Sequence, residues 1–138
     1  MFFEKSNYFK LLKHRKITLS FGDFYLLDNF IIAEFNEGIH FNWNKIQELA
    51  AELIRHYGYE LKIGFIANRV NSYSTDPHLW TNFNQEFGFF VATAIVVYDD
   101  ISYMNATLEK QFTENSLKRC SSLEEGIHWM QNLDEFKS

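Results

Sequence analysis

A chain of 138 residues, 46% hydrophobic and 22% charged, has the size and makeup of one ordinary globular domain. Its net charge of −5 is uneven: residues 1–16 carry Lys5, Lys10, Lys13, Arg15 and Lys16 against Glu4, while the remainder is strongly acidic. An acidic body argues against nucleic acid as a partner, the lone Cys120 excludes an intramolecular disulfide and a cysteine metal cage, and no stretch reaches the roughly 20 apolar residues that span a bilayer.

The chain begins with a basic, aromatic arm over residues 1–16. Glu4 and Lys5 follow Phe2-Phe3 at once, so no signal peptide is expected and a reducing cytoplasm is the expected location. On a helix, Tyr8, Leu11 and Leu12 would share a face with Lys5 and Arg15 near it. Such a face suits a membrane surface or anionic partner, or it docks on the body with its lysines solvated. Residues 17–138 form the domain proper. Two apolar runs, Ile17–Leu27 and Phe30–Phe35, flank Asp28-Asn29, a hairpin signal because both turn residues tolerate positive φ. Gly22 inside the first run suggests a bulge.

A loop at residues 36–41 leads to a helix capped by Asn42, with Ile46, Leu49, Ala50, Leu53, Ile54 and Tyr57 at helical spacing and Gly58 as its stop. Residues 61–77 hold the most informative stretch. A buried strand, Ile63–Ala67, turns abruptly into Asn68, Arg69, Asn71, Ser72, Tyr73 and Ser74, and Asp76-Pro77 then reads as an N-cap with proline at the first helical position. The helix that follows runs to about Phe87 and buries Leu79, Trp80, Phe83 and Phe87. Ala92–Tyr98 is the clearest central strand and ends in Asp99-Asp100. A helix from Ser102 carrying Met104, Thr107, Leu108 and Phe112, a short strand at Leu117–Cys120, and a last helix opened by the Ser122…Glu125 capping box complete the order. Cys120 sits in that strand as an inert structural thiol.

The order β-β-α-β-α-β-α-β-α predicts an α/β fold with a largely parallel mixed sheet, an N-terminal β-hairpin and about four helices. Element order, size and three segments resemble the STAS-like (SpoIIAA-like) domains related to bacterial anti-sigma-factor antagonists. The segments are Glu37-Gly-Ile-His-Phe41, Ile66-Ala-Asn-Arg-Val-Asn-Ser-Tyr-Ser74 and Ser122-Leu-Glu-Glu-Gly-Ile-His-Trp129, within a match over about residues 17 to 133. The resemblance implies a β-α superhelix with consecutive strands adjacent, and a non-enzymatic binding role. In the antagonists a phosphorylated serine lies in an Asp-Ser-Ser-Gly-like loop, a switch that the resemblance does not carry over to this chain. Here that loop holds Ser72 and Ser74, but the pattern is absent and Asp76-Pro77 starts the helix later.

In such a sheet the carboxyl ends of the parallel strands share one edge, where ligands bind. Glu37 and His40, Asn68 and Arg69, and Tyr98 and Asp99 should approach one another there, together with Asn71, Ser72, Tyr73 and Ser74. Arg69 either clamps a carboxylate or phosphate bidentately or pairs with Glu37 or Asp99 and fixes the loops. Tyr73, with polar neighbours, is expected to be exposed beside Arg69 as a partner contact. A hydrolase would need a glycine-framed nucleophilic serine, which is missing. The histidines at 14, 40, 56, 78 and 128 never fall at metal-ligand spacing, and no phosphate-cradling glycine run occurs. The reading is a non-enzymatic binding or regulatory module for a protein partner or small anionic ligand, without metal or cofactor. Its alternative is a lipid- or membrane-surface protein acting through residues 1–16, since a related superhelix fold hosts lipid-transfer domains.

Overall fold

The computed structural model describes residues 1–99 and 116–133. Within them a six-stranded sheet runs in the order β1 (Arg15–Leu19), β2 (Gly22–Leu26), β3 (Phe30–Phe35), β5 (Ile63–Asn68), β7 (Phe90–Val96), β8 (Ser116–Cys120). β1, β2 and β3 pair antiparallel, while β3, β5, β7 and β8 pair parallel. Strands consecutive in this sheet are thus adjacent in space, as the superhelix expectation requires. The helix expected from Ser102, with Met104, Thr107, Leu108 and Phe112, lies outside the described residues, as does Asp100.

The amino-terminal run differs from the expected single strand. Ile17–Leu27 breaks at Ser20-Phe21 into β1 and β2, so the sheet gains two antiparallel strands rather than one. An apolar turn residue hid the break: Phe21 stays buried against Phe24, Phe35 and Phe41, and Asn36 closes over it through its N–H to the Phe21 carbonyl at 2.9 Å. Gly22 is not a bulge. It pairs in register with Leu19 and Phe35, and its missing side chain lets β3 approach closely. The Asp28-Asn29 turn does form, closed by the Leu27 N–H on the Phe30 carbonyl at 2.9 Å, but without positive φ at either residue.

Strand side chains alternate between faces, and each sheet face carries its own core. On one face α2 (Trp43–Tyr57) and α3 (Leu79–Glu86) pack Ile46, Leu49, Leu53, Leu79 and Phe83 against the strand rows of Phe24, Ile31, Phe65 and Ile95. The Asn42 side chain caps α2 by accepting the Lys45 N–H at 3.2 Å, and Gly58, at φ 95°, ends it. α3 starts two residues later than Asp76-Pro77 implies, because Asp76 instead closes a turn by accepting the His78 N–H at 3.1 Å. Trp80 and Phe87, expected in the core, are half-buried at its edge.

The opposite face is covered by α4 (Leu123–Gln131) and the amino-terminal arm. Ser122 caps α4 through the Glu125 N–H at 3.1 Å, and Glu125 reaches back to the Ser121 N–H at 2.9 Å, one residue beyond the Ser122 N–H of the expected box. The arm folds into a 3-10 turn (Phe3–Lys5) and a short helix α1 (Tyr8–Leu11). Phe3 is fully buried, and Tyr8, Phe9 and Leu12 pack around it against this second core. Its last two residues, Arg15 and Lys16, belong to β1. Lys16 stays exposed and pairs at the surface with Glu4 at 2.9 Å and Asp23 at 4.0 Å. No described helix is long and apolar enough to cross a membrane.

Candidate functional site: the carboxyl edge of the parallel strands

Two loops leave the strand ends here, residues 36–41 after β3 and 69–75 after β5. The second is less open than its polar composition suggests, because the two are zipped together. β4 (His40–Phe41) and β6 (Ser74–Thr75) pair in parallel as a separate two-stranded sheet. Gly38 donates to the Ser72 carbonyl at 2.7 Å and Ser74 to the Ile39 carbonyl at 3.0 Å. Side chains reinforce the pairing: Glu37 accepts the Ser72 N–H at 2.8 Å, Asn71 donates to the Phe35 carbonyl at 3.0 Å, and His40 Nδ1 meets Ser74 Oγ at 2.7 Å. Five of the ten sequence-predicted site residues therefore shape this loop pair. Strands of two residues leave no periodic signal, so the zipper was invisible in the sequence.

The zipper presents Arg69. Tyr73, expected to be exposed, is half-buried with its ring on Phe35 at 4.7 Å, and the Arg69 guanidinium lies 4.9 Å from the Tyr73 ring centre. A guanidinium over an aromatic face is held in orientation by the ring quadrupole. Beside it opens a crevice of about 370 Å³ lined by Glu37, Arg69, Asn71, Ser72, Tyr98 and Asp99, with Met1 and Phe2 forming one wall. Six predicted residues thus converge, whereas His40, Ser74 and Tyr73 sit beside the crevice and Asn68 lies beneath it.

Asn68 belongs to a feature missed in the sequence. On the arm-covered face, β3 shows Ile32 then Glu34, β5 shows Ile66 then Asn68, and β7 shows Val96 with Tyr98 following. Glu34 and Asn68 thus stand side by side on the two central strands, level with Val96, and Tyr98 reaches them from just past the end of β7. Glu34 is 4% exposed and Asn68 1% exposed. Glu34 Oε2 accepts the Phe3 N–H and Asn68 Nδ2, both at 2.8 Å. Asn68 Nδ2 also donates to the Met1 carbonyl at 2.8 Å, and Tyr98 donates to Asn68 Oδ1 at 2.6 Å. Residues 1–3 therefore lie across the strand ends and complete the network. Burial raises the Glu34 pKa above the ordinary carboxylate range, with Asp23, its cross-strand neighbour, pushing the same way. The bonds from Phe3 and Asn68 offset part of that shift. Burial, with Glu34 nearby, pushes the Tyr98 phenol up to about 12.

No protein-family model matches the chain, and no curated protein matches it. A solved structure does: an uncharacterised protein of the DUF3478 family from Shewanella loihica PV-4 aligns with a TM-score of 0.52. The alignment covers 86% of this chain and 93% of the other at 11% identity, and that protein is described as having a SpoIIAA-like fold. The fold is SpoIIAA-like. At this identity the likeness concerns architecture alone. Within the SpoIIAA-like sheet the described residues bring together no three His, Cys, Asp or Glu side chains that would hold a metal ion. Cys120 is buried, and burial pushes its thiol up to about 11, far from a reactive thiolate at neutral pH.

Proposed function

We propose that this protein is a non-enzymatic binding or regulatory module that recognises a protein partner or a small anionic ligand in the crevice at the strand ends. The observation supporting this is the oriented Arg69 guanidinium on Tyr73 at the mouth of a polar crevice. A planar cation held in this way suits a carboxylate or phosphate bidentately. Affinity capture with the wild-type chain and the Arg69→Glu variant tests it. Partners retained by the wild type should fall by about tenfold or more on charge reversal. The same partners, recovered equally by a variant that folds, would remove the site.

A second reading rests on a separate observation. Met1 (63% exposed), Phe2 (42%) and Leu11 (73%) leave apolar side chains in solvent next to Lys10 and Lys13, a composition suited to an anionic lipid surface. Deleting the arm is a poor test because it would remove Phe3 from the core and Arg15 and Lys16 from β1. Reversing Lys10 and Lys13 to glutamate in the full chain avoids this. Sedimentation with phosphatidylserine-containing vesicles should drop severalfold, and equal pelleting would end the lipid reading.

A further inference from the structure

The contacts that residues 1–3 make with the sheet are of an unusual kind. Glu34 and Asn68 are costly to bury, and a leucine at either place would extend the apolar row beneath. Both instead address main chain. Glu34 accepts the Phe3 N–H, and Asn68 donates to the Met1 carbonyl, which Tyr98 Oη also approaches at 3.4 Å. Acceptor and donors are thus set one peptide repeat apart, complementary to an extended segment of any sequence. The side chains of Met1 and Phe2 point to solvent-exposed positions, and only Phe3 is read, in a pocket of Tyr25 (4.7 Å), His14 (5.1 Å) and Phe9 (5.9 Å). There is room along this line. A second cleft of about 390 Å³, bordered by Tyr8, Leu11, Leu123 and Glu124, shares Met1 and Tyr98 with the Arg69 crevice, so the two clefts are divided by Met1 itself. α1 packs against Phe3 through Phe9 but also has an anchor of its own, with Tyr8 Oη 2.9 Å from His128 Nε2 and 3.4 Å from Glu124 Oε1.

We infer that the Glu34–Asn68–Tyr98 row is a recognition site for an extended peptide carrying an aromatic residue, and that Met1–Phe3 is its resident, exchangeable occupant. Exchange lifts residues 1–3 while α1 stays docked, joins the two clefts into one trough, and gives an incoming peptide the same main-chain partners. The tethered segment competes at the effective concentration of a short linker, in the millimolar range, so the wild-type chain should bind external peptide weakly. The inference stands apart from the Arg69 reading, because its test needs neither Arg69 nor a natural partner.

The test uses the full chain and a fluorescent hexapeptide copying residues 1–6, Met-Phe-Phe-Glu-Lys-Ser, labelled at its carboxyl end and read by anisotropy. Phe3→Ala weakens the resident without touching the row and should bind the hexapeptide at least about tenfold more tightly than wild type. Tyr98→Phe in the same background should give part of that gain back. A folded Phe3→Ala chain that binds no better than wild type, or that binds a scrambled hexapeptide equally, overturns the inference. In the wild-type protein the Phe3 amide should exchange with solvent deuterium much faster than the Ile66 amide of β5. Equal protection, or a Phe3→Ala chain that does not fold, would make residues 1–3 part of the core and also overturn it.

Discussion

Glu34→Ala should lower the free energy of unfolding by about 3 kcal/mol at neutral pH, whereas Glu34→Gln should leave it unchanged or raise it. The alanine variant strips the Phe3 N–H of its acceptor and leaves Asn68 Nδ2 with the Met1 carbonyl alone. Each buried donor left unsatisfied costs about 1–3 kcal/mol. Removing the carboxylate also relieves the expense of a buried negative charge facing Asp23, which offsets part of this loss but not two orphaned contacts. Glutamine keeps an oxygen where Oε2 stands and carries no charge, so it retains the bonds and drops the penalty. Urea unfolding of the three proteins at one pH reads the ranking, with equal midpoint and slope meaning no change. A glutamine variant as unstable as the alanine variant would contradict this account of the row.

Gly22→Val should be at least as damaging, by about 3 kcal/mol or more. A Cβ at position 22 would lie 2.7 Å from the Glu34 carbonyl oxygen and 3.0 Å from the Phe35 Cα. Both are main-chain atoms of β3, which is paired to β5 on its other side and cannot retreat without breaking that ladder. Overpacking in a well-ordered core typically costs about 1–3 kcal/mol, and two further methyl groups beyond Cβ take valine to the upper end. Thermal unfolding measures the loss. A valine variant within about 0.5 kcal/mol of wild type would show that β2 and β3 can separate freely at this point. The displacement would pass to Glu34, so weakened protection of the Phe3 amide should accompany it.

Helices and parallel strands were legible because their signals are long. Ile46 through Tyr57 carries about three turns of helical periodicity in a helix with a cap at each end, and Phe90–Val96 is a largely apolar run long enough for a buried strand. The break at Ser20-Phe21 was not, because the turn residue that normally betrays a hairpin is polar, and here a phenylalanine serves the core instead. At the site, composition located the loop after β5 correctly, and six of its neighbours do line one crevice. What composition could not convey was partnership: the same hydrogen-bonding side chains that suggest ligand recognition are just as well suited to zipping two loops, and Glu37, His40, Asn71, Ser72 and Ser74 do so. Asn68 was singled out, but as a recognition group of the crevice rather than the middle of a buried network. Glu34 was passed over inside Phe-Ile-Ile-Ala-Glu-Phe, although counting by twos along β3 and β5 places Glu34 beside Asn68, with Tyr98 just past the end of β7. A charge at a core position of a strand paired on both sides was the available signal.

The placement of residues 1–3 over the strand ends underlies the network, the crevice wall and the peptide-site inference alike, and the Glu34 carboxyl reports on it directly. Because its folded pKa is raised above the ordinary glutamate value of about 4.3, the folded state holds this proton more tightly than the unfolded chain. Its contribution to stability is then greatest below that value and is lost as pH rises through the folded pKa. Following the Glu34 side-chain carbonyl carbon by NMR across a pH titration should give a midpoint clearly above the ordinary glutamate range. The Phe3 amide proton should shift with the same midpoint, and the pH slope of stability should be absent from Glu34→Gln. A Glu34 that titrates as an ordinary exposed glutamate, with no response at Phe3, would contradict the account.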